Sequence, residues 1–589
     1  MRIAIILVAA ASLAYGQHHS KLSAELEDLN PEASVNVIIQ YKQTPEQRHI
    51  DAVVSRGGRH LGTLGLVHGA IFSVAAKTLA GLANDPEVVL ISPDHKLAAM
   101  DVNGTSGSTV SSGVNTPDYG WMSVLGLTSP SARAAFDGTG MGVAVIDSGI
   151  GWSNDFYSFE SGSRVVYSQS FVPGDSSTGD AYGHGTSVAG LVGGNGYNSR
   201  SFASSYVVRG LAPNVNLINL RVLDQNGSGT DSSVIAAIQT AIALQSQFNI
   251  GVINLSLGRP VSSSYTTDPL CQAVEAAWQA GIVVVVAAGN DGRDNSAGTA
   301  GYGTISAPGN DPYVITVGAM NTEGSLSRSD DKMTTYSSKG PTLFDHVAKP
   351  DLVAPGNRMF SVLAKGSTLA QEYPQNIVSS SLVNMLPGFK SYYFQLSGTS
   401  MATPTVSGTA ALLLQQNPNL TPDQVKARLM KTADKTFQAA SCPVGQNCTS
   451  QAQMMTTAAD AVTGVTYTTY YDVFTVGAGY LNAAAALASN DVAPVWETAM
   501  SPTATFNSST NGVTLVNGLN VIWGTNVIWG TNVIWGTSVL SGANVIWGTN
   551  VIWGTGTTGA LNVIWGTNVI WGTGTDATES SSITLEGEK

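Results

Sequence analysis

The chain has 589 residues, of which only 11% are charged, and its net charge at pH 7 is −13. This length exceeds that of one ordinary domain, so two to four domains are expected. The acidic balance argues against a nucleic-acid partner or an anionic membrane surface, because both select proteins with clustered lysine and arginine.

The first residues have the pattern of an export signal. Arg2 precedes an apolar run over residues 3–14, and the small residues Ala14 and Gly16 come just before a cleavage position at Gln17. This pattern predicts a signal peptide over residues 1–16 and therefore a secreted protein. The apolar run is too short to cross a bilayer, and no other stretch predicts a transmembrane segment.

Residues 17–100 predict a small α+β domain. Apolar patterns indicate strands at 35–41, 68–75 and 88–94, with helical stretches at 44–56 and 76–84 between them. This order is that of a split β-α-β, ferredoxin-like unit. Its position after an export signal indicates a pro-segment, and the Gly/Ser/Thr-rich stretch 101–116 that follows is interpreted as a linker.

The pattern changes at about residue 117, where continuous runs of β-branched residues begin. Such runs are typical of parallel strands buried on both faces. Helical stretches lie between several of them, so residues 117–490 predict an α/β domain with a doubly wound, mainly parallel sheet. The predicted strands are 142–146, 215–223, 251–256, 281–288 and 313–319, and the helical stretches are 231–247 and 270–280.

The active site of such a sheet is expected beyond the carboxyl ends of its strands. Asp147 and Asn290 each follow a predicted strand, His184 stands between two glycines, and Ser400 precedes an apolar helix. Each residue alone has an ordinary explanation, since Asp and Asn form turns and a serine commonly caps a helix. All four together predict a catalytic cleft.

The motifs around these residues resemble those of the subtilisin-like serine proteases, over roughly residues 117–488. The motifs are Asp147-Ser-Gly, Gly183-His184-Gly-Thr, Asn290 after a valine-rich strand, and Gly398-Thr-Ser400-Met-Ala-Thr-Pro404. The chain order Asp, His, Ser is the order of subtilisin. The resemblance implies that Ser400 is the nucleophile, His184 the general base, Asp147 the residue that orients it, and Asn290 an oxyanion donor.

The same resemblance implies the substrate site and the role of the pro-segment. Residues 17–100 would be an inhibitory propeptide. The residues expected to flank an extended peptide or to line the pocket before the scissile bond are Gly227, Ser228, Gly229, Ser256, Leu257, Gly258, Ala288 and Gly289. No cofactor is required for the chemistry. The resemblance leaves structural calcium as an open alternative, but the segment 195–208 is longer than the family's compact calcium loop, so the sequence does not establish a calcium site. Residues 357–395 are interpreted as an insertion.

The last part of the chain is repetitive. The hexapeptide Asn-Val-Ile-Trp-Gly-Thr occurs seven times, and residues 520–573 keep this period without a charged residue. Since six is a multiple of the strand period, residues 514–575 predict a β-structured tail that binds a surface or self-associates, with low complexity as the alternative. Residues 491–513 are interpreted as a linker and residues 576–589 as an acidic end.

Two function classes follow from these patterns. The first is a secreted serine endopeptidase, made as a zymogen, that cuts protein or peptide substrates through an acyl-enzyme and first cuts itself between about Lys96 and Thr116. The second is an inactive, subtilase-fold surface or adhesion protein that carries the repeats. Cys442 and Cys448 could form a disulfide or remain free thiols, and Cys271 is expected to be buried.

Overall fold

The fold is given by a computed structural model that describes residues 20–100, 121–127, 136–199, 207–379, 392–435, 437, 455–460, 464–496, 498–507, 512–516 and 588. The predicted signal peptide, the linker 101–116, Cys442, Cys448 and the repeats 520–573 lie outside these residues. Within them, every helix is too short or too polar to cross a membrane. Two units are distinguished, residues 1–95 and 96–589.

The first unit is a four-stranded antiparallel sheet in the order β2-β3-β1-β4. Its core includes Ile39, Phe72 and Leu79. The order agrees with the predicted split β-α-β unit, although the unit ends at His95 rather than at residue 100. Its elements are β1 (Ser34–Tyr41), α1 (Gln47–Val54), β2 (Arg59–Leu64), β3 (Gly69–Ala75), α2 (Leu79–Ala83) and β4 (Val88–Pro93).

The second unit is built on an eight-stranded sheet in the order β16-β15-β14-β12-β6-β10-β9, with β17 paired to β15. All its pairs are parallel except that of β15 with β16, so the predicted doubly wound, mainly parallel sheet is confirmed. The strands are β6 (Gly142–Asp147), β9 (Val165–Ser170), β10 (Asn216–Arg221), β12 (Ile250–Leu255), β14 (Val283–Ala287), β15 (Ile315–Asn321), β16 (Lys332–Met333) and β17 (Leu352–Pro355).

Helices cover this sheet, and one of them is central. The helix α9 (Thr399–Gln416) packs against β12, β14 and β15 and is buried from Thr399 to Leu414, as its apolar and small residues require. The other helices are α3 (Trp121–Val124), α4 (His184–Gly193), α5 (Asp231–Ala243), α6 (Gln245–Phe248), α7 (Pro269–Gln279), α8 (Thr368–Glu372), α10 (Pro422–Thr432) and α11 (Ala483–Ala488).

Short strands form a second layer around the main sheet. A three-stranded sheet joins β5 (Lys96–Ala99) to β11 (Ser228–Thr230) and β13 (Leu257–Gly258). The predicted insertion contains a hairpin of β18 (Met359–Val362) and β19 (Tyr393–Leu396). Two further pairs are β7 (Tyr157–Ser158) with β8 (Gly162–Ser163) and β20 (Met455–Ala459) with β21 (Thr466–Tyr470).

The interpretation of residues 491–513 as a linker is wrong for their described part. Two strands, β22 (Thr503–Asn507) and β23 (Gly512–Val516), form an antiparallel hairpin there. The segment just before the hairpin is hydrogen-bonded to loops of the second unit. Ala348 N–H donates to the Pro502 carbonyl at 2.7 Å, and Ser501 N–H donates to the Pro312 carbonyl at 2.9 Å. A Ser/Thr-rich composition suggested a free segment, but the Ser501 hydroxyl donates to the Pro312 carbonyl at 3.2 Å and the backbone at Ser501 and Pro502 is hydrogen-bonded.

Candidate active site

The predicted Asp147 and His184 are in direct contact. Asp147 is the last residue of β6, and His184 is the first residue of α4. Oδ1 of Asp147 lies 2.8 Å from Nδ1 of His184, and the side chains are 1% and 0% exposed. Because a carboxylate can only accept a hydrogen bond, the proton of the neutral imidazole lies on Nδ1, and Nε2 is the nitrogen able to accept another proton.

The position of His184 depends on a buried carboxylate that the sequence analysis missed. Asp180 accepts hydrogen bonds from Gly183 N–H at 2.6 Å, from Thr186 N–H at 2.8 Å and from the hydroxyls of Ser148 and Thr186. These bonds satisfy free amides at the start of α4. Burial raises the pKa of the Asp180 carboxyl, and the hydrogen bonds it accepts act in the opposite direction. An acidic residue four positions before the histidine was the available signal.

Ser400 is held at the start of α9 by a reciprocal pair of bonds with Ser256. The Ser400 hydroxyl donates to the Ser256 carbonyl at 3.1 Å, and the Ser256 hydroxyl donates to the Ser400 carbonyl at 2.9 Å. That carbonyl is open to Ser256 because Pro404, four residues later, has no N–H to donate to it. Since α4 and α9 pack against each other, the serine and histidine elements are neighbours.

Asn290 follows β14 with its amide oriented by the start of α9. Its Oδ1 accepts from the N–H of Thr399 at 3.0 Å and from the Thr399 hydroxyl at 3.1 Å. Because Oδ1 can only accept hydrogen bonds, these two contacts fix the orientation of the amide and point its donor nitrogen, Nδ2, away from Thr399. Nδ2 donates a short hydrogen bond to the backbone carbonyl of Met100. The Thr399 contact was not predicted from the sequence.

The cleft beside these residues holds a strand of the chain itself. β5 lies antiparallel between β11 and β13, in the register Ser228 to Ala98 and Leu257 to Ala99. Ala99 N–H donates to the Gly227 carbonyl at 2.9 Å, and Met100 N–H donates to the Ser256 carbonyl at 3.4 Å. The predicted residues that flank this strand are Gly227, Ser228, Gly229, Ser256, Leu257 and Gly258.

The side chain of Met100 packs where the pocket was predicted. A Cβ atom on Gly258 would collide with Cε of Met100 and lie 2.7 Å from the Ala307 carbonyl oxygen. The methionine end could move but the backbone carbonyl could not easily do so, so glycine is required at that wall. Ala288 and Gly289 are buried at the end of β14, where Ala288 N–H bonds to Val317 and Gly289 N–H bonds to the Thr399 hydroxyl. The structure thus places Gly258 against Met100 and the other two residues next to Asn290.

A metal site does not emerge from the residues the structure covers. Among them, no three histidine, cysteine or acidic side chains lie together in a way that could hold an ion. Part of the segment 195–208, residues 200–206, lies outside the described chain. The functional groups that the structure brings together are a serine hydroxyl, an imidazole bonded to a carboxylate, and an amide that donates to a peptide carbonyl. This set is suited to acyl transfer.

Comparison with known proteins agrees with this geometry. Residues 138–460 match the model of the subtilase family. The serine protease AprX of Bacillus subtilis is 40% identical over 307 residues, which are 51% of this chain and 62% of AprX. Subtilisin E of the same species is 30% identical over 435 residues, 73% of this chain and 93% of subtilisin E.

A solved structure extends the comparison to the fold. Fervidolysin, a keratinolytic enzyme from Fervidobacterium pennivorans, aligns with a TM-score of 0.54 at 20% identity, covering 80% of this chain and 62% of fervidolysin. The chain thus spans less than two thirds of AprX and of fervidolysin but nearly all of subtilisin E. From the family match and the subtilisin alignment together, the chain belongs to the subtilase family of serine-type endopeptidases.

Proposed function

We propose that the protein is a secreted serine endopeptidase made as a zymogen, with Asp147, His184 and Ser400 as its catalytic triad. The observation that carries this proposal is the Met100 carbonyl, which accepts a hydrogen bond from the Asn290 side chain. The chain before that carbonyl lies in the groove as an extended strand, which is how a peptide substrate is presented to a protease. Secretion rests on the pattern of residues 1–16.

The triad residues divide the chemistry between them. His184 accepts the proton of the Ser400 hydroxyl as its oxygen attacks the peptide carbonyl carbon, and later donates that proton to the leaving amine. Asp147 holds the imidazole in the required tautomer and stabilises the imidazolium. The Asn290 amide, together with the Ser400 backbone N–H, stabilises the negative oxygen of the tetrahedral intermediate. Water then hydrolyses the acyl-enzyme, with His184 as base.

The first substrate in this proposal is the chain's own Met100–Asp101 bond. The Ser256 carbonyl accepts from both the Met100 N–H and the Ser400 hydroxyl, so the nucleophile and the residue before this bond share one partner. The bond lies within the predicted window between Lys96 and Thr116. Cleavage would separate residues 17–100 as a propeptide, and the Gly258 wall favours substrates with an unbranched apolar side chain before the cut.

N-terminal sequencing of three purified chains tests the proposal. The wild type is expected to yield a product that begins at Asp101 and is labelled by a serine-directed fluorophosphonate. The Ser400→Ala variant should keep the Met100–Asp101 bond and take up no label. Ser327→Ala, which changes an exposed serine, should behave as the wild type. A Ser400→Ala chain that is cut at the same bond without added protease would exclude self-processing by Ser400.

The alternative, an inactive surface protein, predicts a different result in the same experiment. No label would be taken up by any of the three chains, and none would be cut. The bonded Asp147–His184 pair and the oriented Asn290 amide favour the active enzyme, because an inactive fold has no need for them.

A further inference from the structure

Glu588 is buried among hydrogen-bond donors of the second unit, far along the chain from the predicted catalytic motifs. Only 5% of this residue is exposed. The carboxylate oxygen Oε1 lies 3.0 Å from Nη2 of Arg293 and accepts from the N–H of Thr335 at 2.7 Å. It also accepts from the Thr335 hydroxyl and from the N–H of Tyr336 at 3.3 Å. One oxygen therefore has four donors.

The backbone of Glu588 is recognised as well. The side-chain amide of Asn357 donates to the Glu588 carbonyl at 2.9 Å and accepts from the Glu588 N–H at 2.8 Å. An asparagine amide can do this because it carries one acceptor oxygen and one donor nitrogen. The site thus binds both the carboxylate of Glu588 and the backbone of the same residue.

The pocket is held in place by groups other than Glu588. Nε of Arg293 donates to the Thr335 hydroxyl at 2.8 Å, and its Nη1 lies 3.0 Å from a carboxylate oxygen of Asp460. The guanidinium also lies 4.7 Å from the centre of the Tyr467 ring. Burial raises the pKa of the Glu588 carboxyl, and Arg293 acts in the opposite direction. A buried carboxylate of this kind is tolerated only where donors surround it.

We propose that Arg293, Thr335, Tyr336 and Asn357 form a binding site for a glutamate on an extended peptide, and that Glu588 is its ligand from the same chain. The β22–β23 hairpin lies on one side of the repeats in the sequence and Glu588 on the other. Of the described residues, those nearest the repeats on either side, β22–β23 and Glu588, both belong to the second unit.

The site is also connected to the two segments that carry the proposed oxyanion donors, Asn290 and the Ser400 N–H. Arg293 comes three residues after Asn290, on the same loop. Asn357 follows Gly356, whose carbonyl accepts from the Gly398 N–H at 2.9 Å, two residues before Ser400. Binding of Glu588 joins these loops through side chains that take no part in the reaction, so its binding is expected to reduce their local opening.

Amide hydrogen exchange of the full chain tests this proposal, in the Ser400→Ala background so that the result does not depend on hydrolysis. Glu588→Ala removes the acceptor of the Thr335 N–H, and exchange of that amide should accelerate about 10- to 100-fold, as expected for a lost charged hydrogen bond. Glu588→Gln keeps an oxygen acceptor but loses the charge, so its effect should lie between those of Ala and the parent.

The matched control is Glu586→Ala, which makes the same change two residues earlier in the same acidic stretch. It should leave exchange at Thr335 unchanged. Equal protection of Thr335 in the parent, both Glu588 variants and the control would overturn the proposal, as would equal loss in Glu588→Ala and Glu586→Ala. Because Glu588→Gln preserves the size of the side chain, the comparison remains decisive if the alanine variant is poorly folded.

Discussion

At the scale of single residues, the orientation of Asn290 is the most consequential detail. The N–H and the hydroxyl of Thr399 both donate to the amide oxygen of Asn290, so the amide nitrogen of Asn290 already faces a carbonyl and need not reorient. A donor that is already in place before charge develops stabilises the transition state more than the ground state. Under the proposed mechanism, we therefore expect the amide to contribute to the rate of the chemical step.

Asn290→Ala is expected to slow self-cleavage at Met100–Asp101. In the intact chain the Met100 carbonyl already lies in the cleft, so the first-order appearance of the Asp101 terminus is expected to measure the chemical step without a binding step. We expect a fall of about 10²–10³-fold, a magnitude taken over from the equivalent amide of subtilisin itself rather than derived. The control Asn295→Ala changes an exposed asparagine five residues later. A rate equal to the wild type's in Asn290→Ala would contradict the role.

The four main site residues were predictable because each one stands in a local sequence context. Strand ends place Asp147 and Asn290, and a helix start places His184 and Ser400. Thr399 and Met100 were missed because their contacts join segments far apart in sequence. Asp180 was missed because its surroundings resemble an ordinary loop and helix cap. Local pattern was enough to propose the reacting groups, whereas the groups that orient them are seen only in the fold.

At the scale of elements, the segment 498–507 is bonded to a buried charged cluster. Lys426 of α10 donates to the carbonyls of Pro312, Tyr313 and Val314 at 2.8, 3.1 and 3.0 Å. It also donates to the Ser501 hydroxyl at 3.0 Å and lies 3.2 Å from Asp351. Burial lowers the pKa of Lys426 to about 7, and Asp351 acts in the opposite direction.

This lowered pKa predicts a pH dependence of stability. An unfolded lysine titrates near 10.5, so between pH 7 and 10.5 the unfolded chain binds a proton that the folded chain does not. The free energy of unfolding should therefore rise with pH across that window, by at most about 1.4 kcal/mol per pH unit. Below pH 7 both states hold the proton, and this contribution to stability is lost.

Thermal unfolding at several pH values, in the Ser400→Ala background, measures this effect. The stability of the parent relative to Lys426→Met should increase from pH 7 towards pH 10. Lys332→Met, which changes a partly exposed lysine on β16, should show no such trend against the parent. A constant difference between the parent and Lys426→Met across this range would refute a lowered Lys426 pKa.

The elements themselves were predictable to different degrees. Runs such as the valines of β14 are buried on both faces, so hydrophobicity alone marks them as parallel strands. By contrast, β2 is largely polar and exposed along its edge, and it was missed. The strand β22 was interpreted as linker because Thr, Ser and Asn are common in both, and a strand of this kind is defined by its partner. Its partner β23 begins at the end of that predicted linker and continues into the predicted β-structured tail.

At the scale of the whole molecule, the question is where the catalytic part of the chain ends. If residues 491–513 were a linker, as their composition suggested, removal of everything after Thr498 would leave hydrolysis nearly intact. The structure places the necessary boundary later, because Ser501 lies in the Lys426 cluster and Ala504 N–H donates to the His346 carbonyl at 2.7 Å. The hairpin that ends at Val516 therefore belongs with the second unit.

Two truncated chains separate these possibilities. A chain that ends at Val516 lacks the repeats and Glu588 but keeps Ser501 and the hairpin, so it should process itself and hydrolyse peptides at close to the wild-type rate. A chain that ends at Thr498 lacks the same residues and also Ser501, which leaves the buried Lys426 with one hydrogen-bond partner fewer. Loss of a partner by a buried charged group costs about 1–3 kcal/mol or more, so this second chain should unfold several degrees lower.

Thermal unfolding of both chains in the Ser400→Ala background, and peptide hydrolysis by both with Ser400 intact, give the comparison. Since the two chains differ only in residues 499–516, any difference between them comes from that segment and not from the repeats. Equal unfolding temperatures would show that the segment adds nothing to the second unit. An inactive chain ending at Val516 would show instead that the repeats or Glu588 are needed for catalysis, because the triad, Asn290 and the Lys426 cluster are all retained in it.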